Sequence, residues 1–281
     1  MKKFINSRSI PVLVLLSSLV AVLLRIWTRG GGPDAGGLFP SKPLAWGLLW
    51  LLTAATAAAI VFGVRRLKNP GTYRDNYPKS MVAGLCAVPA AVSFLVGGYV
   101  QLRDSVALKL PEMTAVDTVT GIFGLVAGLC LLLSAAHRFM GKKPFFAIHG
   151  LVCLYLAVRL FNRCQIWSNE PQIGIVVFPF LASTALMISG YHRVCFDVDL
   201  GKRYVSARWS LLSVYLCMVA MLSFEQPLFY GACALWQMAD LCSMRPLKRR
   251  TNVQTAAAQE SPMPESAQES AQESPMPEAD A

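Results

Sequence analysis

Apolar runs of about twenty residues recur along this chain, and lysine and arginine gather at every second break between them. That pattern restricts the fold more than any motif does. About 20 mostly apolar residues, rising about 1.5 Å each, span a hydrocarbon core about 30 Å thick. Eight segments fit this description: Ile10 to Trp27, Pro43 to Val64, Met81 to Leu102, Thr118 to Ala136, Pro144 to Asn162, Pro171 to Tyr191, Trp209 to Phe224 and Pro227 to Cys242. The last two are short, and the tight turn Glu225-Gln226-Pro227 makes them one hairpin. Lipid offers no partner to open backbone groups, and alternating barrel-type segments are absent, so every segment is expected to be a helix.

The basic residues set the threading. With the N-terminus inside, the outer side keeps Arg25, Arg29, Lys42, Arg103, Lys109, Arg159 and Arg163, and the rest of the 26 lysines and arginines fall on the inner side. Cytoplasmic loops of membrane proteins carry such an excess. The expectation is an all-α transmembrane bundle of eight helices with both termini in the cytoplasm. The short basic start and compact loops point to a bacterial-type cell membrane protein. The start "MKKFINSR" could open a signal peptide, but no small-residue cleavage site follows Trp27, so the first helix is expected to stay.

Composition agrees with a membrane setting. Hydrophobic residues make up 54% and charged ones 15%, against about 25% charged in soluble domains, and mean hydropathy is +0.46. The net charge of +10 does not point to nucleic acid, because the bases flank oily segments instead of forming a basic helix with aromatics. Anionic lipid headgroups at the inner face are the expected partner of that charge. Eight cysteines form no C-x-x-C pair and mostly sit in apolar runs, where they pack as small hydrophobes.

Residues 1–250 form the membrane domain on this reading, and the chain changes character after Arg250. The tail repeats "ESPMPE" and "SAQE", carries Glu260, Glu265, Glu269, Glu273, Glu278 and Asp280, and has no base. Residues 251–281 are therefore expected to be a disordered acidic cytoplasmic tail, too polar to offset the entropy of ordering.

Inside the membrane domain a few residues stand out. Gly121, Gly124 and Gly128 give the fourth segment a small face for close helix packing, and Thr53, Ala54, Ala57 and Ala58 do the same in the second. Both faces are expected to pack within the bundle. Pro89 and Pro179 break the hydrogen-bond ladders of the third and sixth segments. Toward the inner side, His137, His149, His192 and Asp240 lie near one depth, with Gln237 on the Asp240 face. Ionisable groups at such depth are candidates for proton or metal chemistry. None has chelating i, i+4 spacing, so no metal or other cofactor is expected. His137 and His192, each followed by an arginine, read as markers of the headgroup boundary. Near the outer level, Arg159 and Arg163 share a face and could pair with Glu225 in the tight turn.

Catalytic signatures are missing. There is no H-E-x-x-H or G-x-S-x-G, and Ser183 and Thr184 have no histidine near them in sequence. Asp197, Asp199, Lys202 and Arg203 lie in what reads as a lipid-facing loop. The first expectation is a non-enzymatic membrane protein that scaffolds, senses or assists a membrane protein partner. The alternatives are a small-solute or ion transporter using the layer of His149, Gln237 and Asp240, and an intramembrane metal-dependent enzyme.

Overall fold

The computed structural model of the chain describes residues 9–29, 42–65, 72–107, 115–168, 173–222 and 226–244. All regular structure among the described residues is helical. The order is α1 (Ser9–Arg29), α2 (Pro43–Val64), α3 (Tyr73–Asn76), α4 (Met81–Leu102), a π-helical turn Arg103–Ala107, α5 (Ala115–Met140), α6 (Phe146–Trp167), α7 (Ile173–Asp197), α8 (Arg203–Ala220) and α9 (Pro227–Cys242). Eight of these helices are long, and α3 is a single turn. The acidic tail and Glu225 lie outside the described residues.

Local chemistry sets the helix starts. Pro43 and Pro227 open α2 and α9, where a missing N–H costs nothing. Ser80 caps α4, its Oγ accepting the Ala83 N–H at 3.2 Å. Among the described residues, five helices are long and apolar enough to cross a membrane: Ser9–Thr28, Pro43–Val64, Met81–Val106, Ala115–Met140 and Phe146–Gln165. Eight equivalent crossings were expected. Of the others, α8 has 18 residues and α9 only 16, so α9 measures about 24 Å along its axis.

Helices α4 to α9 pack in chain order, and α9 returns against α4 to close a six-helix ring. The α1–α2 hairpin lies against α8. Arg25 is buried there, its guanidinium 4.9 Å from the Trp46 ring centre and 5.2 Å from that of Phe178, and Thr53 meets the Tyr215 hydroxyl at 3.0 Å. The closest helix pair is α4 on α5. A Cβ added to Gly98 would stand 2.8 Å from the Gly121 carbonyl oxygen, so the two backbones touch. On α2 the small face is turned differently from the expectation. Thr53 is buried against Tyr215 of α8, but Ala54 and Ala58 face outward.

The outer surface is oily. Leu16, Leu23, Leu51, Phe62, Leu85 and Phe161 are each more than half exposed. A water-soluble monomer seldom bares contiguous apolar surface on this scale, whereas lipid solvates it. Phe94 marks the interior, with Tyr155 at 5.0 Å and Phe229 stacked on it at 5.3 Å.

Candidate functional site

Polar groups collect at the two ends of the ring. The end holding α3 is the inner end of the sequence reading. There α5 and α7 each run past their apolar stretch and carry an arginine inward. Arg138 and Arg193, which were expected at the headgroup boundary, are buried, and each places a nitrogen 3.4 Å from the Asp240 carboxylate. Arg138 also donates to the Pro78 carbonyl at 3.0 Å and to the Ser243 hydroxyl. Tyr77 lies over Arg193, with 3.8 Å from its ring centre to the guanidinium carbon. One turn deeper, Gln237 accepts from the Ser189 hydroxyl at 2.9 Å, and Ser189 meets Ser210 at the same distance.

His149 belongs to a second chain of contacts. Its Nε2 is 2.7 Å from the Ser134 hydroxyl and its Nδ1 is 2.5 Å from an Asp197 oxygen. Asp197 is thus a buried partner of α6 and not part of a lipid-facing loop, and Arg203 is buried as well. The Ser134–His149–Asp197 order matches that of a nucleophile, base and orienting acid. Ser134 is only 4% exposed, and it does not line the groove described below. The trio works as a polar tie that joins α5, α6 and α7.

The other histidines stand apart. His137 bonds the Leu133 carbonyl of its own helix at 2.8 Å, and His192 packs edge-on to Tyr191. Among the described residues no group of histidine, cysteine, aspartate and glutamate is placed to hold a metal ion. Ser183 meets the Tyr230 hydroxyl at 3.3 Å, and Thr184 bonds the Phe180 carbonyl of its own helix.

A strap covers this inner end. Tyr73 and Tyr77 of the α3 segment pack with Phe196, the Tyr77 ring edge-on at 5.3 Å. Asp199 accepts the Tyr73 backbone N–H at 2.8 Å and pairs with Lys143. The Lys143 hydrogen bond, followed by the Tyr73 N–H, holds the Asp199 carboxyl below its usual range. Burial pushes the Tyr73 and Tyr77 phenols up.

The opposite end is built differently. Asp117, in the first turn of α5, is buried and accepts Gln101 Nε2 and Asn162 Nδ2 on one oxygen, both at 2.9 Å. Arg159, expected to pair with Glu225, donates to Gln226 Oε1 at 2.6 Å and lies 3.8 Å above the Phe229 ring. Beside them opens a groove of about 1640 Å³. Pro89, Val96, Gly97, Phe229, Ala232 and Leu235 are among its apolar walls, and Gln101, Asp104, Asp117, Asn162, Arg163 and Gln226 gather toward one end. From Pro89 to Asp104 the α4 wall runs about 22 Å at helical rise. Gly97 faces the open space of the groove, where a Cβ would meet no heavy atom within 4 Å. No sequence signal pointed to Asp117, Gln101 or Asn162, because they come together only when α4, α5 and α6 pack.

Comparison with protein-family models, curated proteins and solved structures finds no match for this chain.

Proposed function

We propose that this is a non-enzymatic multi-pass protein of the cell membrane that binds an amphiphile in the groove between α4 and α9. On this reading its role is that of a lipid-dependent accessory or sensing protein for a membrane partner. The supporting observation is the groove itself. It exceeds the roughly 300–1,000 Å³ of ordinary small-molecule pockets, its length suits an acyl chain, and its polar groups cluster at one end. The same reading keeps both termini in the cytoplasm with eight crossings, which puts the polar end of the groove in the outer leaflet and the arginine-rich end against anionic headgroups.

Binding is favoured over transport by what separates the two polar ends. On α6 the buried Tyr155 stands between His149 and Arg159 and packs on Phe94, which in turn stacks on Phe229. The inner polar layer therefore ends against an aromatic plug, and its charged groups are spent on one another.

The test is photolabelling of the full-length protein in nanodiscs with a phospholipid carrying a diazirine on its acyl chain. Adducts should map to the groove faces of α4 and α9, and Gly97→Trp should remove them without lowering thermal stability. Adducts spread evenly over all lipid-facing helices, and unaffected by Gly97→Trp, would overturn the proposal.

A further inference from the structure

We infer that the polar end of the groove is shaped for a zwitterionic head bearing an N–H donor, so that the amphiphile belongs to the aminophospholipid class. This rests on the groove reading above and adds the head chemistry to it. The argument begins at Asp117. A carboxylate oxygen accepts, and one oxygen of Asp117 takes donors from two neighbouring helices. Gln101 and Asn162 both approach the same Asp117 oxygen at 2.9 Å, so each must present its amide nitrogen there. Their carbonyl oxygens are thereby turned from Asp117, and both residues line the groove.

Asp104 adds a carboxylate at the same end, where it meets Arg103 at 2.7 Å. The lining is thus rich in acceptors, and an ammonium, with its three donors, matches such a set. Among the described residues Arg163 lines the groove as well, next to Asn162 on α6, and a guanidinium has donors enough for more than one partner. A guanidinium suits a phosphate oxygen. Opposite charges side by side fit the phosphate and ammonium of a single head. A glycerol head brings no ammonium to the Asp117 end of the groove, Asp104 being offset by Arg103, and a choline head has no N–H to give the carbonyls.

The experiment uses full-length protein in phosphatidylcholine nanodiscs with a trace of diazirine-acyl phospholipid bearing an ethanolamine, choline or glycerol head. Groove adducts from the ethanolamine lipid should exceed those from the other two by about tenfold, as the loss of charge-assisted hydrogen bonds implies. Asp104→Asn and, separately, Gln101→Leu should each narrow that preference. Gly47→Trp, which projects into open space on α2, should leave it unchanged. Equal labelling by all three heads, or a glycerol preference indifferent to Asp104→Asn, overturns the head assignment and leaves the groove standing. Absence of groove adducts from every probe removes the groove proposal itself.

Discussion

His149 stands 2.5 Å from Asp197, and both are almost fully buried. The contact fastens the last turn of α7 to α6, and Ser134 on α5 completes it. Removing one member leaves the other polar group in a dry interior, which costs about 1–3 kcal/mol. His149→Leu and Asp197→Leu should each lower stability by that amount in detergent unfolding curves. The double variant should be less destabilised than the sum of the two, with a coupling of about 0.5–3 kcal/mol. Strict additivity would show that the pair contributes nothing.

Asp240 is shared by Arg138 and Arg193, and its removal leaves two buried guanidiniums without the carboxylate that bridges them. Breaking a buried ion pair by deleting one partner costs about 3–5 kcal/mol. Asp240→Ala should therefore unfold the inner end or strongly reduce folded yield. Adding Arg138→Met to Asp240→Ala should recover part of the loss, measured as the thermal midpoint in micelles. A fully stable Asp240→Ala protein would contradict this assignment.

The strap at the inner end should respond to acid. The Asp199 carboxyl sits below its usual range because it pairs with Lys143 and accepts the Tyr73 N–H. A depressed folded value means that the contribution is fully present above the ordinary carboxylate value and is lost as pH falls through the folded one. Amide protection at Tyr73 and its neighbours, taken relative to the intrinsic exchange rate at each pH, should thus be high near neutrality and fall once the solution becomes acidic enough to protonate Asp199. In Asp199→Asn that protection should be lower at neutrality and flat across the same window.

Much of the helical layout is legible in the sequence, and the site is not. The ranges Pro43–Val64, Met81–Leu102 and Pro227–Cys242 follow directly from apolar run length and flanking proline or serine. The misses at the inner end share one cause. A hydropathy run ends at its first charge, but the helix goes on while its backbone is satisfied and its next residues find partners. So α5 continues through Arg138 to Met140 and α7 through Arg193 to Asp197, which turns apparent loop charges into buried ones. The groove at the other end was hidden for a second reason. Gln101, Asp117 and Asn162 lie on three helices, and no spacing within one helix announces their contact.

Two adjacent glycines of α4 should respond oppositely to the same substitution. Gly98 faces α5, where an added Cβ would lie 2.8 Å from the Gly121 carbonyl oxygen and from the Leu125 nitrogen, both backbone atoms that cannot swing aside. Gly97 faces the groove, and its Cβ would meet nothing within 4 Å. Gly98→Leu must push α4 off α5, and overpacking of this kind costs about 1–3 kcal/mol or more. Gly97→Leu only fills open space, and replacing a mid-helix glycine gains about 0.5–1 kcal/mol of backbone entropy. Thermal midpoints measured side by side in the same micelles should fall for Gly98→Leu and hold or rise for Gly97→Leu. Equal losses at the two positions would mean that the α4–α5 contact or the groove is placed wrongly, and lipid labelling of Gly97→Leu would then show which.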